Sequence, residues 1–489
     1  MLINFILPIL PELCLFSSAL VILLADIFFK KNNKEFYLIS YLIALISCIL
    51  TLYFLSKTGF ETKAHFNKMF LTSNFTTLVK FVTILLLSFI LVLSFQFFED
   101  NEKISSEFIS LIMISSVGAM ILISANDFIT LYLGIELQSL PLYLLAAINK
   151  KSPQSSESGI KYFVLGSTAS AILLLGISFF YGFSGTTNFE TAFQLYQISQ
   201  VPPALILGFV LIIIALFFKI SAAPFHMWAP DVYQGSSTIV TTFFATVAKF
   251  SATLIFVRIF LDVSTGFRGI ENILMLVAIL SIGVGSFGAI KQNNIKRLLA
   301  YSSIGHIGFV ILGLSSLSLD GVKSCVIYMT IYSIISIGTF GFLTLIINIT
   351  SNDGKDFDEI DNNIFSIKSF AGLSKTNPIM AAIFACLMFS SAGIPPLAGF
   401  FSKFYVIVAA VKSGNFLISI IAVLFSVISA FYYLKIVKIM YFDEPSENNI
   451  IFIKRINPKI IIALVAVFNL LFIILLKDFL STISSMLGF

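Results

Sequence analysis

Fourteen apolar segments follow one another along this chain with little between them, at 2–29, 36–56, 75–98, 108–125, 127–148, 160–183, 203–223, 238–261, 270–290, 297–317, 322–349, 378–411 (interrupted), 413–441 and 459–480. A stretch of about 20 apolar residues crosses the hydrocarbon core of a bilayer as one helix, because a helix satisfies its backbone hydrogen bonds internally. The pattern predicts an all-α, polytopic membrane protein of about 14 transmembrane helices. Composition agrees: 11% of the 489 residues are charged and 58% are hydrophobic, whereas a soluble domain carries about 25% charged residues to face water. No run of basic residues points to nucleic acid as a partner. The first segment lacks a basic leader and exceeds a signal peptide in length, so it is expected to stay as the first span.

Several chemistries lack the residues they need. Cys14, Cys48, Cys325 and Cys386 each sit alone in apolar stretches, which suits buried structural thiols. His65, His226 and His306 are scattered, with no metal-like interval to another His or Cys. Haem, iron–sulfur clusters and metals are therefore not expected in this chain. Gly283-Val284-Gly285-Ser286-Phe287-Gly288 has the spacing of a dinucleotide fingerprint but lies inside an apolar segment with no strand before it. Close packing of two helices through small residues explains it better.

Basic residues orient the spans. Alternate loops hold 17 Lys and Arg on one side and 8 on the other, with Lys80, Lys161, Lys219, Lys249 and Lys403 in or at the edges of spans. The richer side is expected to be cytoplasmic, which places both termini on the periplasmic side of a bacterial inner membrane. Two spans are interrupted by proline. The seventh carries Pro224 and Pro230 soon after Lys219, and the twelfth carries Pro395-Pro396 and Gly399 just before Lys403. Proline breaks the helical ladder, and unpaired backbone at membrane depth persists only inside protein or beside a water-filled cavity. If spans 4–8 and 9–13 form two units, each break falls in the fourth of five helices, and an odd number makes the units inverted. The predicted organisation is an N-terminal three-helix segment (1–105), a first five-helix repeat (106–265), a second, inverted repeat (266–441) and a C-terminal helix (442–489).

Ionisable groups at membrane depth cost about 2.5–3.5 kcal/mol or more each and mark ion or proton pathways. Glu136, Lys219, Lys249 and Lys403 are the candidates. Glu136 lies nine residues after Asp127, about 14 Å along a helix, with Ser139 and Tyr143 following on the same face. A lysine suits proton transfer because desolvation favours its neutral form while a nearby carboxylate favours the charged one. A Glu136–Lys219 pair would act as such a switch, or as a fixed ion pair that orders the bundle. Lys80 and Lys161, near the starts of their segments, are expected to snorkel to an interface. His306 is either a satisfied packing residue or a relay, and His226 lies beside the Pro224 break. Asp231 is expected to tie the loop backbone, and Glu12 to sit at the interface.

The stretches KISAAPFHMWAPDVYQGSST, RLLAYSSIGHIGF and IPPLAGFFSKF, spread over most of 100–410, resemble the antiporter-like membrane subunits of proton-pumping NADH–quinone oxidoreductase, respiratory complex I. Within that family the segments PELCLFSSALVILLADIF, LGIELQSLPLYLLAA and GIKYFVLGSTASAILLLGISFFYG are similar to the N-type branch, whose usual 14 spans match the number found here. The resemblance implies that Glu136 and Lys219 are the family's glutamate–lysine pair, Lys249 the connecting lysine of a central hydrophilic axis, and Lys403 the lysine of the second broken helix. Lys161 and His306 would be further members. It also implies a fold of two inverted five-helix bundles and proton translocation without redox chemistry in this chain. The FMN and iron–sulfur clusters would lie in partner subunits, among other membrane and peripheral subunits that reach the quinone pool. A cation/proton antiporter subunit and a structural membrane scaffold are the competing expectations.

Overall fold

The computed structural model describes residues 6–28, 34–57, 62–99, 106–150, 152–194, 202–263, 269–347, 365–445, 451–452 and 457–487. Of the loop cations weighed above, Lys30, Lys31, Lys103, Lys151, Arg268, Lys355, Lys454 and Arg455 lie outside these residues, as do the positions 105 and 265 that end two predicted segments and the start of the first predicted span.

Six helices lead up to the first break: α1 (Leu10–Phe28), α2 (Lys34–Lys57), α3 (Asn74–Glu99), α4 (Ser106–Ser124), α5 (Phe128–Ala146) and α6 (Pro153–Ser184). The seventh span is α7 (Pro203–Lys219) followed by the short α8 (Trp228–Gly235). Beyond it run α9 (Thr238–Phe260), α10 (Ile270–Ile290), α11 (Ile295–Leu314) and α12 (Leu319–Thr344). The twelfth span is α13 (Pro378–Ala392) plus α14 (Ala398–Lys412), and α15 (Phe416–Phe442) and α16 (Asn457–Leu487) complete the chain. Among the described residues twelve helices are long and apolar enough to cross a bilayer, and α7 and α13 are shorter apolar helices at the two breaks. Together they account for the fourteen predicted spans.

Caps in the sequence set several ends. Asp127 accepts from the Thr130 amide at 2.7 Å before α5, Asn294 accepts from the Lys296 amide at 2.9 Å before α11, and Gly393 closes α13 at φ 88°. Lipid sorts the helices: α9 and α12 are each 94% buried and form the centre, whereas α15 is 28% buried and peripheral.

Two small antiparallel ladders depart from the all-α expectation. β1 (Lys63–His65) pairs with β2 (Phe70–Thr72), and β3 (Ile346–Ile347) pairs with β4 (Ile451–Phe452). Connections that meet at one surface satisfy their backbone groups on each other. Isolated bridges join Phe70 to Ala125, Asp127 to Asn188 and Asn294 to Ser366. The first ladder is a hairpin within one loop, whereas the β3–β4 ladder and the three bridges each connect loops separated by two spans, so each span between them is a full crossing. The broken seventh span counts as one crossing too, since Arg258 near the end of α9 donates to the Ala125 carbonyl at 2.9 Å across spans five to eight.

Without a hydrophobic force between helices in lipid, close approach through small residues holds them together. A Cβ on Gly118 would stand 2.3 Å from the Gln138 amide nitrogen, and one on Gly285 would stand 2.5 Å from that of Gly305. The apparent dinucleotide fingerprint is thus the α10–α11 crossing, as expected. Gly285→Leu is expected to destabilise the chain by about 1–3 kcal/mol through overpacking, read as a lower unfolding temperature in detergent. Gly182→Ala, whose Cβ meets nothing within 4 Å, should not lower it.

Candidate functional site

Both broken spans end their first half on a satisfied but unwound backbone. After Lys219 the chain turns at Ser221 (φ 58°), where the Trp228 indole donates to the Phe218 carbonyl at 3.0 Å and the Ala223 amide donates to Ser281 Oγ at 2.9 Å. After Ala392 it turns at Gly393, and the Gly399 amide donates to Ser390 Oγ at 3.1 Å. Each turn places a lysine at the C-terminal end of a half-helix, where exposed carbonyls favour a cation. Lys219 is the last residue of α7, and Lys403 reaches back from α14 to donate to the Ala392 carbonyl at 2.8 Å.

Glu136 on α5 accepts a hydrogen bond from Ser170 on α6. Lys219 Nζ donates to Ser139 Oγ at 3.0 Å and to Tyr143 OH at 3.4 Å. Ser139 and Tyr143 continue the Glu136 face of α5, so the lysine meets this face one to two turns past the carboxylate. The predicted Glu136–Lys219 pair is consequently not in direct ionic contact. A cavity with about 20 Å³ of room for water centres, enough for a water molecule, is lined here by Gln138, Ser139, Tyr162, Lys219 and Ala248. Gln138 Nε2 continues from it to Ser251 Oγ at 2.8 Å on α9.

Lys249 follows a π-helical turn, Phe244–Ala248, that the sequence did not reveal. Such turns are frequent at functional sites. The lysine is 2% exposed, and its Nζ donates to Ser221 Oγ in the first break and to Ser303 Oγ on α11, both at 2.8 Å. No carboxylate among the described residues lies within ion-pair distance of it. One turn beyond Ser303, His306 bonds Tyr328 OH through Nδ1 at 2.7 Å and Tyr433 OH through Nε2 at 3.0 Å, and Tyr433 OH bonds Ser302. A second cavity with about 20 Å³ of room for water centres is lined by His306, Tyr328, Tyr332, Ser391, Gly399 and Ser402. It reaches the second break, where Lys403 is 7% exposed.

The four predicted residues therefore lie along one polar series: Glu136, Lys219 with its cavity, Lys249, His306 with the second cavity, and Lys403. His306 joins them as a doubly bonded ring, capable of holding a proton on either nitrogen. His226 is half-buried in the first break, with Nδ1 unpartnered and no bond to the series.

Four expectations are corrected. Lys80 does not snorkel and Glu12 is not interfacial: they are 2% exposed each and form an ion pair of 2.5 Å. Lys161, not among these four, is 42% exposed and is held by Glu157 at 2.6 Å and Asp231 at 2.7 Å. Asp231 ties side chains rather than loop backbone, since Arg297 also donates to it, at 2.5 Å. Lys296, counted with a loop, is 1% exposed. Sequence reading also missed Arg258, which donates to the Ile123 and Ala125 carbonyls at the end of α4 and to Asn126 Oδ1. A cation within two turns of a span end that falls on the helix's buried face was the available signal. Nearby, outside the spans, burial followed by the charges of Lys63 and Lys80 lowers the His65 imidazole below its ordinary pKa.

A helical bundle with two broken spans and unpaired lysines at its centre defines a membrane ion-transport protein. Residues 125–429 match the transmembrane family described as NADH:quinone oxidoreductase/Mrp antiporter, and the chain belongs to that family. It is 43% identical over 449 residues, 90% of this chain and 89% of the relative, to NADH-quinone oxidoreductase subunit N of Paramagnetospirillum magneticum. Its fold is similar to a chain of respiratory complex I from Thermus thermophilus, with TM-score 0.80 and 26% identity over 96% of this chain and 98% of that one. A chain of the Mrp complex from Dietzia sp. shares the fold, with TM-score 0.79 at 19% identity over 99% of this chain and 97% of that one.

Proposed function

We propose that this chain is the proton-translocating N-type subunit of an NADH–quinone oxidoreductase in a bacterial inner membrane. The observation that carries the mechanism is Lys249, a buried lysine without a carboxylate, hydrogen-bonded to both the first break and α11. A buried ammonium in that setting is costly, and its neutral amine is correspondingly accessible. Protons would pass among Lys219, Lys249 and Lys403, with Glu136 setting the charge at one end and His306 bridging the last interval. Quinone reduction in partner subunits, which hold the FMN and iron–sulfur clusters, would drive the series by changing the electrostatics at its end.

The chain would be organised as the N-terminal segment 1–105, two inverted five-helix repeats at 106–265 and 266–441, and the helix 442–489, with both termini periplasmic. The matching breaks at Ser221 and Gly393 support the repeat. Identity of 43% to subunit N against 19% to the Mrp chain favours the oxidoreductase over a cation/proton antiporter. In the assembled complex, Glu136→Gln or Lys219→Ala is expected to collapse NADH-driven proton pumping. Pumping at the native rate in both would refute the assignment.

A further inference from the structure

Lys296 is a further buried lysine, 1% exposed, and none of the roles above uses it. It lies in the first turn of α11, and its Nζ donates to the Ser236 carbonyl at 2.6 Å and stands 4.8 Å from the centre of the Phe365 ring. Ser236 closes the C-terminal end of α8. No carboxylate among the described residues lies within 4 Å of this ammonium, and one carbonyl leaves two of its three donors unassigned.

The groups around it are also unsatisfied. Ser236 Oγ, Ser237 Oγ, Tyr233 OH and Gln154 Oε1 are buried without a hydrogen-bond partner, and the Tyr233 and Ser236 residues are fully buried. Buried polar atoms rarely stay unpaired, and bound water is the usual partner. A cluster of four on and against the end of α8, which Lys296 bonds, points to a hydrated pocket.

This pocket has a wet end and a dry end. At the wet end the adjacent Arg297 donates to Asp231 at 2.5 Å and to Gln234 at 3.1 Å, and Asp231 continues to Lys161 and Glu157. Those ionic side chains are 31–61% exposed, so they reach solvent. At the dry end Ser303 lies seven residues beyond Lys296 on the same face of α11, about 10 Å away along the axis. Ser303 holds Lys249 at 2.8 Å, and the Tyr233 ring centre stands 5.7 Å from Lys249 Nζ.

We infer that Lys296 is a proton-relay residue connecting the solvent-facing ionic cluster of Asp231 and Arg297 to Lys249, through Tyr233 and water in the intervening pocket. The inference rests on the proton-translocating reading. The ammonium of Lys296 gives a proton through water and the Tyr233 hydroxyl to the neutral amine of Lys249, and the Lys296 amine takes one back from water at the rim. This makes the end of the bundle formed by α8 and the start of α11 one mouth of the pathway.

A lysine that merely caps α8 predicts different variants from a lysine that passes protons. Arginine keeps the charge and the bond to a carbonyl but does not release its proton. Tyr233→Phe removes one hydroxyl that holds no protein group. NADH-driven proton uptake by inverted vesicles carrying the assembled complex is the measurement, with Lys249→Arg run beside these variants. Lys296→Arg and Tyr233→Phe are each expected to lower the uptake rate about tenfold or more. Native uptake in Lys296→Arg, or in Tyr233→Phe, overturns the inference. Should Lys296→Arg not assemble, Tyr233→Phe decides alone. If Lys249→Arg abolishes uptake while both other variants pump normally, only the relay at Lys296 fails. If Lys249→Arg pumps normally as well, the translocation reading itself fails.

Discussion

Lys403→Met is expected to leave the complex assembled and to cut proton pumping about a hundredfold. Lys403 ends the polar series at the second break. Its Nζ makes one bond, to the Ala392 carbonyl at 2.8 Å, and stands 5.5 Å from the centre of the Phe309 ring. Methionine keeps most of the stem volume and adapts to an apolar site, and exchanging a buried charge for an apolar group is often neutral for stability. What it removes is the only protonatable atom at that position. Assembly is read from the size of the extracted complex, and pumping from the pH gradient formed on NADH addition. A hundredfold loss with normal assembly is the expected pair of results. An undiminished gradient would remove Lys403 from the pathway.

The second large effect lies away from the series and concerns stability. Glu12→Gln strips Lys80 of its carboxylate while leaving the ammonium 2% exposed. Breaking one half of a buried ion pair costs about 3–5 kcal/mol, enough to unfold much of a chain of ordinary marginal stability. The double replacement Glu12→Leu with Lys80→Met removes both charges and should recover most of that loss. Thermal unfolding of the detergent-extracted chain compares the three forms. A small loss in Glu12→Gln, or no recovery in the double variant, would show that the pair contributes little to stability.

How much of this was legible in the sequence follows from what lipid demands. Spans were readable because a helix in hydrocarbon must be apolar over its whole length, and the two breaks because proline cannot continue the ladder. Glu136, Lys249 and Lys403 stood out because a charge far from either end of an apolar segment has no interface to reach, and Lys219 because it directly precedes a proline break inside its span. Lys80 and Glu12 were not, since Lys80 lies six residues into α3 and Glu12 two residues into α1, where a side chain can equally snorkel out or turn inward. Only the packing of α1 against its neighbours decides between them. Lys296 looked like a loop residue because α8, which covers it, is distant in sequence. The spacing of Glu136, Ser139 and Tyr143 gave the correct face of α5 but not which member Lys219 would meet, since a long flexible side chain spans more than one turn. The π-helical turn before Lys249 has no sequence signature, and the small ladders depend on which loops share a surface.

The central claim is that Lys249 carries protons rather than only charge. Lys249→Arg tests it most directly, because arginine retains the positive charge and can donate to Ser221 and Ser303 yet holds its proton at any physiological pH. In vesicles containing the assembled complex, NADH addition is expected to produce no proton gradient with this variant. A gradient formed at the native rate would contradict the pathway.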